Sequence, residues 1–401
     1  MRRIAYAGSV HGEEEIAAVV EVLRGGATAL RIGRNVEEME RLVAEVFGKA
    51  RGVMVNSGSS ALELAIELLG LAPGDEIVTP ALTFSTDVAP MVRRGIVPVF
   101  VDVEIDTYQI DVARIEAAIG PRTRAILAPN LIGNCPDWDA IRAIADQHAL
   151  AVVEDSCDCL GAILRGRPTG ARSDVTVTSF ALSHIITAGG TGGMICLDDD
   201  ALTDRALLLR RWGRRSELAF FGQGDRPAKA GRRFFSDLDG LEYDDLFIFD
   251  EVGWNFEPSE LGAAFGRVQM KKLAANLARR RRNFDGLAAA LAERPDVFAL
   301  PRTTPEVETA WHMFPFRIHP DSGVERSGFQ RHMERNGVDT RMVWTGNITK
   351  QPAFKSVPHR IAGPLTHTDA IMTQALVLPC NHGMNDHDID HIATTTRSYF
   401  Q

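Results

Sequence analysis

Between Val152 and Met194, two apolar runs rich in β-branched residues stop abruptly on polar ones. Val152-Val153-Glu154-Asp155 ends on two acids. Asp174-Val175-Thr176-Val177-Thr178-Ser179-Phe180 ends on Ser179 and an aromatic, and His184 follows five residues after the serine. Short runs of this kind are buried strands. A buried strand that halts on Asp, Ser or His presents chemistry at the carboxyl edge of an open α/β sheet. Taken singly, an Asp after a strand is as readily a helix cap, and a lone His is more often structural than catalytic. The spacing of the three residues carries more information than any one of them.

The rest of the chain supplies strands and helices in alternation. Helical periodicity covers Glu13 to Arg24 and Val36 to Phe47, with glycines between them. Gly52 to Val55, Glu76 to Thr79, Val97 to Val103, Arg124 to Ala128, Leu150 to Glu154 and Met194 to Leu197 read as strands, and Val112 to Ile119, Trp138 to His148 and Ala201 to Arg211 as helices. Such alternation predicts an α/β fold with a doubly wound, mostly parallel mixed sheet. After the first strand, Asn56-Ser57-Gly58-Ser59-Ser60 opens a helix directly. Small residues there leave backbone N–H groups able to hold an anion, although a plain Ser cap has the same appearance. Asn130 to Asn134 forms a polar turn facing the same edge. The run Gly189 to Gly193 neither follows a strand nor opens a helix in the dinucleotide-binding manner, so it reads as a turn into the next strand. Ser216 to Tyr243 reads as an insertion loop whose Arg226, Arg232 and Arg233 are either a solvated face or a diphosphate contact. A long helix follows Gly253 to Leu261, and a basic helix of its own, Lys271 to Phe284, leads into the smaller unit. Strands at Met313 to Ile318 and Thr340 to Val343 and a helix from Asp386 to Thr394 complete a smaller C-terminal α+β unit. The expected division is 1–260, containing an insertion at 214–250, and 261–401.

Composition narrows the function. The 401 residues carry a net charge of −9 with no basic stripe, which argues against nucleic acid. No apolar run approaches the roughly 20 residues of a membrane span, and Met1 to Glu15 lacks a signal-peptide core. Five cysteines, an odd number beside apolar runs, fit reduced thiols in a cytoplasm.

Asp155, Ser179 twenty-four residues later and His184 five beyond that resemble the fold-type I vitamin B6 enzymes of the DegT/DnrJ/EryC1 sugar aminotransferase family. In that family the strand-end Asp pairs with the pyridinium nitrogen of pyridoxal phosphate, and the Ser holds the cofactor phosphate. The residue five after the Ser is the lysine that binds the cofactor covalently. His184 stands in the lysine's place, which resembles the sub-branch of NDP-4-keto-6-deoxyhexose 3-dehydratases, as do Cys157-Asp158 and Ser183-His184. The resemblance implies that Gly58 and Ser59 lie at the cofactor phosphate, that Phe84 lies against the cofactor ring, and that Asp158 belongs to the cofactor site. It also implies that Asn255, in Gly253-Trp254-Asn255, reaches the phosphate of the neighbouring subunit in a homodimer. Thr345-Gly346-Asn347 resembles a substrate-side turn. Members of this sub-branch often follow the first histidine with a second, where this chain has Ile185. Its iron–sulfur members carry a Cys-x-Cys pair in the insertion and a later Cys, whereas this chain has no cysteine between Cys196 and Cys380. A cluster requires about four protein ligands, so none is expected.

The resemblance thus implies a lyase that uses pyridoxal or pyridoxamine phosphate, takes its amino group from L-glutamate and removes the C-3 hydroxyl of a nucleotide-linked sugar. His184 acts as base and Asp155 as partner of the ring nitrogen. A free imidazole with a pKa near 6.5 suits proton abstraction at neutral pH. The competing readings are a sugar aminotransferase, which needs the missing lysine, another vitamin B6-dependent elimination or epimerisation, and a non-enzymatic partner. Asp155, Ser179 and Asn255 together argue against the last.

Overall fold

The computed structural model describes residues 3–222 and 235–401, so Arg226, Arg232 and Arg233 lie outside the described residues. Seven strands of the principal sheet follow in chain order: β1 (Arg51–Val55), β2 (Glu76–Pro80), β3 (Val97–Val101), β4 (Thr123–Pro129), β5 (Ala151–Asp155), β6 (Val175–Ser179) and β7 (Gly193–Leu197). The eighth is a two-residue strand, Arg360–Ile361, contributed by the C-terminal part of the chain. The spatial order is β1-β7-β6-β5-β4-β2-β3 and then Arg360–Ile361. Every neighbour pairing is parallel except those of β7, which runs against both β1 and β6. The carboxyl ends of β1, β2, β4, β5 and β6 therefore point to one edge, which is the edge expected to carry chemistry.

β7 can lie antiparallel between two strands of one direction because of the Gly189 to Gly193 run. Gly189, Gly190 and Gly192 all take positive φ, at 73°, 97° and 116°. A Cβ on Gly193 would stand 2.4 Å from the Ser57 carbonyl oxygen, so a glycine is required for β7 to pair closely beside the turn after β1. The run is a turn into a strand, as its sequence predicts.

Local signals account for most helix ends. Ser57 caps Gly58–Leu68, its Oγ accepting from the Ser60 N–H at 3.1 Å. Asp137 caps Trp138–His148 through Ala140, which closes on Ala149 in the left-handed conformation. Ser259 caps the 32-residue helix Glu260–Leu291. Buried Glu260, at that helix's first position, accepts four hydrogen bonds, from Gly33, Val36 and the backbone and side chain of Asn35. The free N–H groups opening Arg34–Phe47 are thereby satisfied by an acid on another helix.

A second core lies behind the three-stranded sheet Phe298–Ala299, Phe314–Ile318 and Ala375–Leu378, with Phe298, Phe316 and Phe329 in mutual edge contacts and Phe314 tilted against Phe284. Ile4 packs into this core and bridges Val338.

Four expectations differ from the structure. Thr340 to Val343 is not a strand: only Arg341 bridges Val377, because the chain turns at Trp344 and Gly346, both with positive φ. Val112 to Ile119 is a 3₁₀ turn running into the one-turn helix Ile115–Ala118. The basic stretch Lys271 to Phe284 is the interior of the single long helix. The described part of the insertion contains a helix, Ser216–Phe221, and a hairpin, Phe235–Leu238 with Leu241–Asp244. The hairpin turns on Asp239-Gly240, both with positive φ, the geometry that Asp-Gly favours.

Candidate active site

A cleft of about 930 Å³ opens along the carboxyl edge of the sheet. Gly58, Ser59, Phe84, Asp155, Asp158, Ser179 and His184 all line it. Asn255 does not: it is exposed, beside Arg211, and its side chain accepts from the Glu257 N–H at 3.2 Å.

One end of the cleft is a cradle of small groups. Gly58 opens its helix directly against Ser179: a Cβ there would lie 2.6 Å from Ser179 Cβ, 3.0 Å from Ser179 Oγ and 3.0 Å from Cys157 Sγ. A helix N-terminus, a hydroxyl and no side chain between them suit a phosphate. Beyond the cradle, Asp155 ends β5, with Oδ1 accepting from the Cys157 N–H at 2.9 Å. Burial raises its pKa. Its neighbour Asp87, on the helix Ser85–Arg93, is fully buried, hydrogen-bonded to Thr83 and to Asp155, and raised well above the carboxylate range by burial and by the charge of Asp155. Two adjacent buried carboxyls cannot both ionise readily, so Asp87 carries the proton and Asp155 is the anion available to a cation in the cleft. Phe84 is half-exposed and caps this helix at the rim. Glu154 points to the opposite face of the strand, where Asn130 and Ser156 donate to it at 2.7 Å each.

His184 lies farther along, in the turn after β6. Asp158 Oδ1 is 3.6 Å from its Nδ1. Asp158 is bound from several directions: its Oδ2 accepts from Trp344 Nε1 at 2.7 Å and from the Ile132 N–H at 3.0 Å. Burial pushes the Asp158 carboxyl up, but His312 and His184 hold it below its ordinary value. The turn at Asn130 to Asn134 therefore does face the site, and it acts through a backbone N–H. Asp158 contacts the histidines.

Sequence reasoning missed two residues here. His312, just before the strand Phe314–Ile318, stacks on His184 at 5.5 Å between ring centroids and 27° between planes. Ile185, by contrast, is buried in apolar surroundings. Arg280, buried inside the long helix, donates to the carbonyl oxygens of His312 at 2.9 Å and, more weakly, of His184 at 3.5 Å. Burial, His312 and Arg280 pull the His184 pKa down to about 4, against the pull of Asp158. His184 is therefore a neutral imidazole at neutral pH, with Nδ1 buried and Nε2 left to face the cleft. No lysine among the described residues lines the cleft.

A fold-type I sheet, a phosphate cradle, a strand-end carboxylate and a histidine where a lysine is customary define a vitamin B6-type site without its lysine. The chain belongs to the DegT/DnrJ/EryC1/StrS aminotransferase family, whose model matches residues 10–397. It is 36% identical to a dTDP-4-dehydro-2,6-dideoxy-D-glucose 3-dehydratase of Saccharopolyspora spinosa, over 98% of this chain and 85% of that protein. It is 30% identical to the GDP-4-keto-6-deoxy-D-mannose 3-dehydratase of Yersinia pseudotuberculosis, over 96% and 94%. The structure of the Escherichia coli GDP-4-keto-6-deoxy-D-mannose 3-dehydratase with bound hydrated pyridoxal phosphate superposes with a TM-score of 0.86 at 27% identity, covering 99% of this chain and all of that one.

Proposed function

We propose that the protein is a pyridoxamine/pyridoxal phosphate-dependent lyase that removes the C-3 hydroxyl of a nucleotide-linked 4-keto-6-deoxyhexose. The observation that carries this reading is His184: a neutral, cleft-facing imidazole at the lysine position of a cleft that no described lysine lines. An aminotransferase of this fold needs that lysine.

The residues fit the cofactor. Gly58, Ser59 and Ser179 would hold its phosphate, Phe84 would lie against its ring and Asp155 would face its ring nitrogen. Bound there, the cofactor would supply an amine that condenses with the sugar ketone and a ring that takes up an electron pair. The protein supplies the rest. Asp155, an anion beside protonated Asp87, keeps the cationic ring nitrogen paired. His184 Nε2 takes the proton whose removal drives loss of the hydroxyl at C-3, and Asp158 stabilises the imidazolium that results. Asp158 acts on His184 in this scheme and not on the cofactor directly. L-Glutamate restores the amino group, so each turnover releases ammonia and 2-oxoglutarate with the 3,6-dideoxy-4-keto sugar. No iron–sulfur cluster takes part: Cys157 is the single cysteine at the cleft among the described residues, and a cluster needs about four ligands.

The working unit is a homodimer in which Asn255 completes the partner's phosphate site. Asn255 is exposed and outside its own cleft, and the segment ahead of it in the chain carries Phe247, Phe249 and Val252, each more than half exposed. Exposed apolar side chains of this kind are in keeping with an interaction surface. The enzyme acts in the cytoplasm, in keeping with the buried free thiols Cys135, Cys159, Cys196 and Cys380.

The test is spectroscopic and chemical. Protein mixed with pyridoxal phosphate and then L-glutamate should convert aldehyde absorbance to that of the amine, leave nothing trapped by borohydride, and release ammonia on addition of a GDP-, CDP- or dTDP-linked 4-keto-6-deoxyhexose. A borohydride-trapped cofactor–lysine bond would replace this reading with the aminotransferase.

A further inference from the structure

Three donor atoms meet at the cleft with no hydrogen bond joining them. Asp158 Oδ1 lies 3.6 Å from His184 Nδ1 and 3.2 Å from His312 Nδ1, and all three atoms lie within 4.8 Å of one another. Both ring nitrogens are buried and neither has a hydrogen-bond partner. His312 is 1% exposed, so its Nδ1 is also shielded from water. The other nitrogen of that ring, Nε2, lies 2.5 Å from the Ser183 carbonyl oxygen, which can only accept. The ring proton therefore belongs on Nε2, and Nδ1 keeps its lone pair. Lone pairs that converge in a buried place, with no donor to meet them, are what a metal ion requires.

We propose that Asp158, His184 and His312 form a binding site for a divalent transition-metal ion of the Zn²⁺ type, and that the bound ion silences His184 as a base. The binding stands on the geometry alone, whereas the silencing rests on the reading of His184 as the base.

Two imidazoles and a carboxylate suit a first-row dication. On a tetrahedral Zn²⁺ with bonds of about 2.0–2.2 Å, neighbouring donor atoms stand about 3.3–3.6 Å apart. The two separations from Asp158 Oδ1 already come close to this. The outer partners are in place as well. His312 gives its far N–H to a backbone carbonyl, the arrangement that fixes a ligating imidazole. Trp344 Nε1 at 2.7 Å and the Ile132 N–H at 3.0 Å hold Asp158 Oδ2, which leaves Oδ1 to the rings. All three residues line the cleft, so an ion has a path of entry. A single carboxylate, with the Arg280 guanidinium bonded to the carbonyl oxygens of His312 and His184 nearby, limits the affinity, so a chelator should strip the ion. With a metal on Nδ1, the neutral His184 ring must carry its proton on Nε2, the atom that faces the cleft. The proton passes from one ring nitrogen to the other and none is lost, but the lone pair that served as the base is gone.

The experiment uses protein loaded with pyridoxamine phosphate and one equivalent of Zn²⁺. X-ray absorption at the zinc edge should count two imidazoles and oxygen, with no sulfur from Cys157. In competition with a coloured chelator, His312→Gln should weaken zinc binding by more than about tenfold, a loss that even an outer partner of a metal site can cause. Imidazole spectra of ¹⁵N-histidine-labelled protein should place the His184 proton on Nε2 with zinc present and on Nδ1 once EDTA has removed it. Turnover of a nucleotide-linked 4-keto-6-deoxyhexose should fall by about 10²-fold or more with zinc and return with EDTA. No bound zinc, fewer than two imidazoles or a sulfur ligand overturns the site, and the wild-type absorption spectrum decides this even if His312→Gln does not fold. Bound zinc with His184 Nε2 still unprotonated, or with turnover unchanged, overturns the silencing. A protein inactive both with zinc and without it would count against the lyase reading, while the absorption spectrum would still decide the metal site.

Discussion

At the scale of single residues, the site depends on which groups are charged. His184→Asn removes the atom that takes the proton and should lower turnover by about 10²–10⁴-fold, while absorbance titration shows the cofactor still binding. Because the His184 pKa is about 4, the acid limb of kcat/KM should fall below pH 5, well under the value for a free imidazole. The same depression has a thermodynamic sign. Between the folded value and the ordinary value of about 6.5, the unfolded chain binds the extra proton. Stability is therefore full above that range and declines as pH falls toward 4, by at most about 3 kcal/mol for this group. His382, also lowered to about 4 by burial and Arg280, adds in the same direction. Melting temperatures of the cofactor-free protein from pH 7.5 to 4.5 would show the decline. Asp155, Ser179, Gly58 and His184 were legible in the sequence because each follows directly on a strand or a turn whose local pattern places it. His312 and Arg280 were not. One is a single polar residue before an apolar strand and the other is one arginine among several in a basic helix, and only the tertiary packing sets them against a carboxylate and two carbonyls.

At the scale of elements, the cleft depends on helices and strands beginning where they do. Gly58→Ala places a methyl group within 2.6 Å of Ser179 Cβ, where overpacking of this kind costs roughly 1–3 kcal/mol. Cofactor affinity should fall about ten- to a hundredfold with the far-ultraviolet spectrum unchanged, as a fluorescence titration would report. Strands with continuous burial, such as β5 and β6, were legible to within a residue or two, as was the helix that follows Ser57. The segment Thr340 to Val343 was misread because its β-branched and apolar residues satisfy local propensity, whereas its single bridge to Val377 is fixed by the turn at Trp344. The exposed hairpin after Phe235 was hidden by its polar composition, which resembles a loop until its pairing is seen.

At the scale of the whole molecule, the proposed dimer makes a quantitative prediction. His184→Asn and Asn255→Ala damage different halves of a shared site. Each variant alone should be impaired, but an equimolar mixture allowed to exchange subunits should recover about a quarter of wild-type activity, because half the dimers are mixed and each mixed dimer holds one intact site. An initial-rate assay before and after exchange measures this. Failure to recover activity would place Asn255 outside the neighbouring site. The overall architecture was legible from the alternation of strands and helices. The interleaving of its parts was not: Ile4 sits in the C-terminal core and Arg360–Ile361 completes the principal sheet, and no periodicity announces pairings separated by hundreds of residues.

That last strand sets a schedule for the newborn chain. β3 has β2 on one side, and its other side is covered by Arg360 and Ile361 alone, opposite Val99 and Phe100. Some 260 residues separate the two in the sequence. At the pace of translation, on the order of 5–20 residues per second, the outer edge of Val-Pro-Val-Phe-Val waits on the order of 10–50 s before its closing strand has been made. An apolar edge left open for that long is a template for pairing with another chain. The yield of soluble protein should therefore be decided during synthesis, and slowing translation beyond residue 101 should lower it more than slowing translation beyond residue 361.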